Sequence, residues 1–257
     1  MARRGIRLGA GALALALAAT QALPAAAAAG PPYPAATPKG RYAAMEKLPD
    51  WGGVWTLEPR PGGPPPPPAL KGAYLDRYRL AKAKADANDG EFPRQASYCT
   101  PPGVPYQMGV AQYPIEFLFT PGRVTMLFEA WMQVRRVFTD GRGHPDELEA
   151  SLYGHSTGRW EGVALVIDTV GLKPGALISP GMGHSDKERI TERIQLSPAD
   201  PDLLLDELTI TDPEALERPW TATYRYRRHR DWELLEFACA ENDRNPIGEN
   251  GTAEFRP

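Results

Sequence analysis

The chain has 257 residues, with 29 Lys or Arg against 32 Asp or Glu and a formal net charge of −3 at pH 7. Scattered charges with a slight acidic excess argue against nucleic-acid binding, which depends on a basic face or stripe. The basic run TYRYRRHR at 223–230 alternates arginine with tyrosine at strand spacing. We interpret it as one solvated face of a strand.

The first 29 residues have the composition of a secretory signal peptide. Arg3, Arg4 and Arg7 form a basic start, an Ala/Leu run follows, and small residues crowd positions 25–29. The apolar run is interrupted by polar residues and is shorter than the ~20 residues that a membrane span needs. We therefore expect residues 1–29 to be cleaved, and the protein to be periplasmic or secreted with no stable membrane span.

Two cysteines, Cys99 and Cys239, fit an exported protein. An even number of cysteines in an oxidising compartment predicts one disulfide, and the alternative is two buried free thiols. A disulfide closing so long a loop would contribute roughly 4 to 5 kcal/mol of stability, less any strain.

Residues 30–114 form a Pro-rich lead-in to the rest of the chain. Trp51–Trp55 predicts a short first strand, and the PRPGGPPPPP segment at 59–68 predicts a polyproline connector. Apolar residues recur at helical spacing among the charges of residues 69–86, which predicts one amphipathic helix there.

From residue 115 to 257 the apolar period changes to two, which is typical of strands. Tight turns separate the short strand-like segments, and no helical spacers interrupt them. The predicted strands cover residues 115–120, 123–130, 131–139, 155–160, 163–170, 189–197, 202–211, 221–228 and 231–239.

This pattern predicts an all-β domain built as an antiparallel meander. Closure into a barrel removes exposed strand edges, so the predicted architecture is a lipocalin-like barrel, with an open β-sandwich as the second choice. A barrel of about eight to ten strands has room for one small ligand. The predicted partner is therefore a small hydrophobic molecule.

Five motifs occur in the order DWGGVW, TDGRGHP, YGHSTGRWEG, GHSDKERITERI and CAEN. In these motifs the chain resembles a broad uncharacterised family of exported bacterial proteins, over most of the length after the predicted signal peptide. The resemblance implies this compartment and architecture and implies no particular reaction. The chain departs from it at Val163-Ala164, where members of the family often have Asp-Thr.

The chain has four histidines, and two of them share a Gly-His-Ser context. His155 and His184 are candidate general bases, since a neighbouring oxygen can fix the ring tautomer. The alternative is that both only cap turns by hydrogen bonds to the backbone. His144 is interpreted as a solvated loop residue and His229 as a surface residue.

Two carboxylates lie in strands among apolar residues. Glu192 shares a strand face with Ile190 and Ile194, and Asp168 shares one with apolar residues of its own strand. A carboxylate on a buried face must be paired, hydrogen-bonded or protonated. Two interpretations stay open, a buried ion pair with Arg135 and an interior acid or base with a raised pKa.

These residues support three hypotheses on function. The first is a cofactor-independent lyase, hydratase, dehydratase or isomerase acting on a small apolar or aromatic compound, with no metal. His155 or His184 would be its base, Asp168 or Glu192 its acid or orienting group, and Arg135 would bind the substrate. The alternative is a carrier or sensor of a hydrophobic small molecule, and the third is a structural or interaction protein. For the first hypothesis the side chains must meet in one pocket.

Overall fold

A computed structural model describes residues 39–88, 90, 92, 100–109, 113–174 and 176–238. Its helical segments are one α-helix, α1 (Gly72–Asp86), and 3-10 turns at Lys39–Lys47, Tyr106–Gly109 and Ala130–Met132. None of the helices in these ranges is long and apolar enough to cross a membrane. The strands are β1 (Val54–Leu57), β2 (Ile115–Thr120), β3 (Arg123–Phe128), β4 (Gln133–Phe138), β5 (His155–Glu161), β6 (Ala164–Val170), β7 (Leu177–Ser179), β8 (Met182–Gly183), β9 (Arg189–Ser197), β10 (Asp200–Thr211) and β11 (Trp220–His229).

Nine of these strands close into a barrel in the order β1-β11-β10-β9-β6-β5-β4-β3-β2, while β7 and β8 form a separate hairpin. The prediction of an all-β barrel with one helix before it is confirmed. The meander is interrupted at one place, because β4 and β5 pair in parallel. A parallel pair cannot be joined by a tight turn, so residues 139–154 form the longer connection that it requires.

The barrel contains two short seams. The β4–β5 pairing consists of Val137 with Ser156 and Phe138 with Thr157, and the β1–β2 pairing also consists of two residue pairs. Between the seams, β2, β3 and β4 form a three-stranded meander with full-length pairing. The remaining six strands form the second continuous sheet of the barrel.

The strand predicted at 231–239 is wrong over its described part, because residues 231–238 are irregular. β11 is already paired on both sides, with β10 and β1, so a following strand has no free edge to join. The segment instead lies on the outside, where the Phe237 ring is 5.4 Å from Tyr113 and 5.8 Å from Trp131 between ring centroids. The Leu235 N–H donates a hydrogen bond of 2.8 Å to Glu129 Oε2.

Alternation along the strands directs one row of each into the barrel. This row is mostly aliphatic, and burying it supplies the main driving force for closure. Its fully buried aliphatic members and methionine are Val124, Met126, Val137, Leu165, Ile167, Ile190, Ile194, Leu204, Leu208 and Ile210.

The predicted signal peptide (1–29) and both predicted disulfide partners, Cys99 and Cys239, lie outside the described residues, so these two predictions stay predictions.

Candidate functional site

The middle of the barrel interior holds a buried ion pair. Arg135 of β4 and Glu192 of β9 point inward with side-chain exposures of 1% and 0%. The Arg135 Nη1 donates to Glu192 Oε1 at 2.8 Å, and its Nη2 donates to Glu192 Oε2. Two parallel bonds of this kind match the planar guanidinium to the carboxylate. The ion-pair interpretation of Glu192 is therefore the one that the structure shows.

Hydroxyl groups satisfy the rest of the Arg135 guanidinium. Its Nη2 also donates to Thr169 Oγ1 at 2.9 Å, and its Nε donates to Ser156 Oγ at 3.3 Å. The Ser156 and Thr169 hydroxyls are 2.8 Å apart and bond to each other. These contacts fix the guanidinium in one orientation, and a charge that must be buried needs such partners.

A second carboxyl group lies in the same interior without a partner. Asp206 of β10 is fully buried, and both of its oxygens lack a hydrogen bond within the described ranges. Burial raises the pKa of Asp206 well above its usual value, and the neighbouring Glu192 carboxylate adds to this shift. Burial therefore favours the neutral form of the Asp206 carboxyl group.

The 3-10 turn at Tyr106–Gly109 covers one side of this polar interior. The Tyr226 hydroxyl donates a hydrogen bond of 2.7 Å to the Met108 carbonyl oxygen. The Met108 sulfur is 3.8 Å from Arg135 Nη1. Met108 and Tyr226 are both 1% exposed, so the ion pair is closed off from solvent on this side.

A cavity of about 360 Å³, widely open to solvent, lies beside the 3-10 turn at Lys39–Lys47 and the inner row of β2. Trp51 is packed edge-on against Phe117 and Phe119, with ring centroids 5.3 Å and 5.4 Å away. The buried indole Nε1 of Trp51 has no hydrogen-bond partner in the described part of the chain. Polar and apolar atoms share the lining about equally. It comprises the apolar residues Met45, Leu48, Pro49, Trp51, Phe117 and Phe119 together with Glu46, Asp50 and Gly52.

The outer face of the barrel carries a chain of polar contacts over β5, β6 and β9. Arg189 donates two hydrogen bonds to the Asp168 carboxylate, at 2.6 Å and 2.5 Å. The imidazole of His144 also contacts Asp168, and its Nε2 is 3.0 Å from Asp168 Oδ2. The Nδ1 atoms of His144 and His155 are 2.8 Å apart. These four residues form what we call the outer-face cluster.

Electrostatics fix the charge states in this cluster. Although burial favours the neutral acid, hydrogen bonds from Arg189 and His144 hold the pKa of Asp168 below its usual value. Burial lowers the pKa of His155, and the nearby charges of His144 and Arg142 add to the effect. At neutral pH the cluster therefore contains an ionised carboxylate and a neutral His155 ring.

The backbone conformation at position 154 explains why a glycine precedes His155. Its φ is +60°, and a Cβ at this position would lie 2.5 Å from the carbonyl oxygen of Val170 on β6. Only glycine fits the left-handed turn so close to a neighbouring backbone. The turn delivers His155 to the outer row of β5, opposite Val170.

The second Gly-His-Ser motif forms a different, buried cluster before β9. The Nδ1 of His184 donates to the carbonyl oxygen of Ser185 at 2.7 Å, so its 3.1 Å contact with Glu188 Oε2 is not also a full hydrogen bond. Burial lowers the pKa of His184. Burial also raises the pKa of Glu188 to about 9, and the charge of Asp212 adds to this shift. His184 and Glu188 are therefore a neutral pair.

The structure separates the sequence-predicted site residues into three places. Arg135 and Glu192 meet inside the barrel, His155 and Asp168 belong to the outer-face cluster, and His184 lies in the buried cluster before β9. Asp168 was expected on a buried face, but its strand row faces outward, because the adjacent Ile167 is the residue that pairs with the inward Glu192. The expectation of a single shared pocket is therefore wrong for these residues.

Sequence reasoning missed several residues of these groups, among them Arg189 and Glu188. His144 was interpreted as a solvated loop residue, but it links His155 to Asp168. Asp206 was missed although its alternation with Leu204 and Leu208 places it on the inward row of β10, a signal as strong as that used for Glu192. His229, expected at the surface, is partly buried, and its Nε2 lies 2.9 Å from the Oγ1 of Thr56.

No protein-family model matches the chain, and no curated protein matches it. Among solved structures, it is similar to the crystal structure of a mutant of the fluorescent protein UnaG, at 15% sequence identity and a TM-score of 0.32. That match covers 72% of this chain and 98% of the other. At this TM-score the likeness supports no argument, so the barrel assignment rests on the strand pairing.

Proposed function

We propose that the protein is a carrier or sensor that holds a small, neutral, hydrophobic molecule in the cavity beside Trp51 without altering it. The observation that carries this proposal is the group of aromatic and aliphatic side chains that contributes about half of the cavity lining. Small-molecule sites are concave and largely apolar, with a few polar groups that fix orientation.

The charges near the cavity favour a neutral ligand. Glu46 and Asp50 both contribute to the lining, so an anionic ligand would meet two carboxylates. The Asp50 carboxylate already bonds Arg228 at 3.0 Å and Arg230 at 3.4 Å, which offsets its charge. A neutral molecule therefore binds without displacing an existing ion pair.

The barrel interior supports a carrier better than an interior acid/base enzyme. A catalytic group must come within hydrogen-bond reach of its substrate. Arg135 and Glu192 bond each other with almost no exposed surface, and Met108 closes one side. These groups therefore hold the barrel together, and the cavity beside Trp51 remains for a ligand.

The proposal is tested by titrating the protein with the uncharged fluorescent probe N-phenyl-1-naphthylamine. Leu48→Gln and Met45→Gln each change a partly exposed residue of the cavity lining, so the fold tolerates them. Each should weaken probe binding about tenfold, since losing one buried aliphatic contact costs about 1 to 2 kcal/mol.

Leu80→Gln is the matched control, because Leu80 is 67% exposed on α1 and does not line the cavity. It should leave the affinity unchanged. Equal affinities for all three variants and the parent would remove the cavity beside Trp51 as the binding site. Failure of the parent protein to bind the probe would count against the carrier itself.

A further inference from the structure

We propose that the outer-face cluster is a separate acid–base site that hydrolyses small neutral carboxylic esters, with Nε2 of His155 as the base that activates water. This inference does not rest on the carrier proposal, because the cluster shares no residue with the cavity beside Trp51. It rests on the order in which Asp168, His144 and His155 contact one another.

The carboxylate determines the tautomer of the first ring. An ionised Asp168 can only accept hydrogen bonds, so the Nε2 of His144, at 3.0 Å, must carry the hydrogen. In the tautomer that carries its hydrogen on Nε2, the Nδ1 of His144 is an acceptor. Arg189 holds both oxygens of Asp168 from the other side, which keeps the carboxylate in position.

The tautomer of the second ring follows from the first. Because Nδ1 of His144 accepts, Nδ1 of His155 must donate across their 2.8 Å contact. The remaining nitrogen of His155, Nε2, therefore carries a lone pair and no hydrogen. It makes no hydrogen bond to any other residue in the described ranges, and His155 is partly exposed on the barrel surface.

This arrangement extends the logic of a catalytic triad by one ring. In a triad a carboxylate orients a histidine and stabilises its imidazolium when it takes a proton. Here His144 stands between the carboxylate and the base. When Nε2 of His155 takes a proton, its Nδ1 proton can move to His144, so the positive charge approaches Asp168.

The hydrolytic step needs only water and the ester. Water gives one proton to Nε2 of His155 while its oxygen bonds the acyl carbon. The bond from that carbon to the alcohol oxygen then breaks, and the alcohol oxygen takes the proton back from Nε2. The products are a carboxylic acid and an alcohol, and His155 returns to its neutral state.

Neighbouring side chains prepare the base for this role. The Phe138 ring stacks on His155, with centroids 5.3 Å apart and planes 23° apart, which restrains the imidazole. The Arg142 guanidinium lies 4.2 Å from the Phe138 ring centroid and places a cation on the same patch. Its partner Asp140 accepts its hydrogen bonds and so reduces the charge that His155 experiences.

The test follows hydrolysis of p-nitrophenyl acetate by the full chain across pH 5 to 9. His155→Gln should lower the protein-dependent rate by at least about 100-fold, the usual contribution of a positioned base. His229→Gln is the matched control, since His229 lies on β11 and contacts Thr56 instead of the cluster. It should leave the rate unchanged.

Asp168 and His144 are positioning residues, so their variants must change more than the rate. Asp168→Asn removes the charge that stabilises the imidazolium, and the apparent pKa of the pH–rate profile should fall. Asp168→Glu should restore part of the rate and of that pKa. A merely structural role for Asp168 would lower the melting temperature and leave the apparent pKa where it was.

Three results would overturn the proposal. The first is a parent protein that does not accelerate hydrolysis of p-nitrophenyl acetate. The second is equal hydrolysis rates for His155→Gln and His229→Gln, and the third is an unchanged pH–rate profile for Asp168→Asn. Leu48→Gln should hydrolyse the ester at the parental rate, and His155→Gln should bind the naphthylamine probe normally. Failure of one proposal is therefore distinguishable from failure of the other.

Discussion

Removing the carboxylate of Glu192 should strand the guanidinium of Arg135 in the barrel interior. Breaking a buried pair by deleting one partner costs about 3 to 5 kcal/mol, because the remaining charge stays buried. Two features of the structure place the expected destabilisation by Glu192→Ala near the lower limit of this range. Thr169 and Ser156 still accept from Arg135, and Asp206 loses the repulsion that Glu192 exerts on it.

Asp206 should then ionise and act as a replacement counter-ion for Arg135. We therefore expect Glu192→Ala alone to cost about 3 kcal/mol, and Glu192→Ala with Asp206→Asn to cost about 5 kcal/mol. Replacing the pair by Arg135→Met with Glu192→Leu should recover most of the loss, since apolar residues of similar volume leave no stranded charge.

The assay is urea unfolding at pH 7, followed by far-UV circular dichroism, with free energies taken from linear extrapolation. A loss below about 1 kcal/mol for Glu192→Ala would refute the reasoning, because it lies outside the range for a stranded buried charge. Equal losses for the single Glu192→Ala variant and the apolar double variant would also refute it.

Two further predictions concern pH and redox state. Glu188, with a pKa of about 9, keeps a proton in the native state that the unfolded chain releases above about pH 4.3, so stability should fall as pH rises through this interval. Glu188→Gln should flatten this slope in melting temperatures measured at pH 5, 7 and 8.5, and an unchanged slope would assign the pH dependence to another group. Protein exported to an oxidising compartment should show no free thiol when denatured without reductant, because we predict that Cys99 and Cys239 are bridged. Two titratable thiols would exclude that disulfide.

Strand phase made much of the interior predictable from the sequence. Glu192 alternates with Ile190 and Ile194, and Arg135 lies in a strand that the apolar period also identifies. The need to neutralise a buried carboxylate then made Arg135 one candidate partner beside the two histidines, and the structure pairs Glu192 with Arg135. The strand periodicity and the free-energy cost of burying a charge therefore both point to an ion pair inside the barrel.

The outer-face cluster was harder to predict, because it depends on how the strands pair. Asp168 alternates with apolar residues that cover the outside of the barrel, so composition alone did not distinguish the two faces. His144 lies in the connection between β4 and β5, and its contact with His155 requires the parallel pairing of those strands. A meander joined by tight turns, which the sequence favoured, has no place for that connection.

The two short seams of the barrel are the places where we expect it to open first. Each side of the β2–β3–β4 meander is attached to the larger sheet by only two residue pairs, whereas its own strands pair along their full length. Local openings follow the boundaries with the fewest interactions. We therefore expect the meander to open locally as one unit. The meander carries Phe117, which lines the cavity, and Arg135, which lies in the core. Because the Arg135–Glu192 ion pair joins the meander to β9 of the larger sheet, it should oppose this opening.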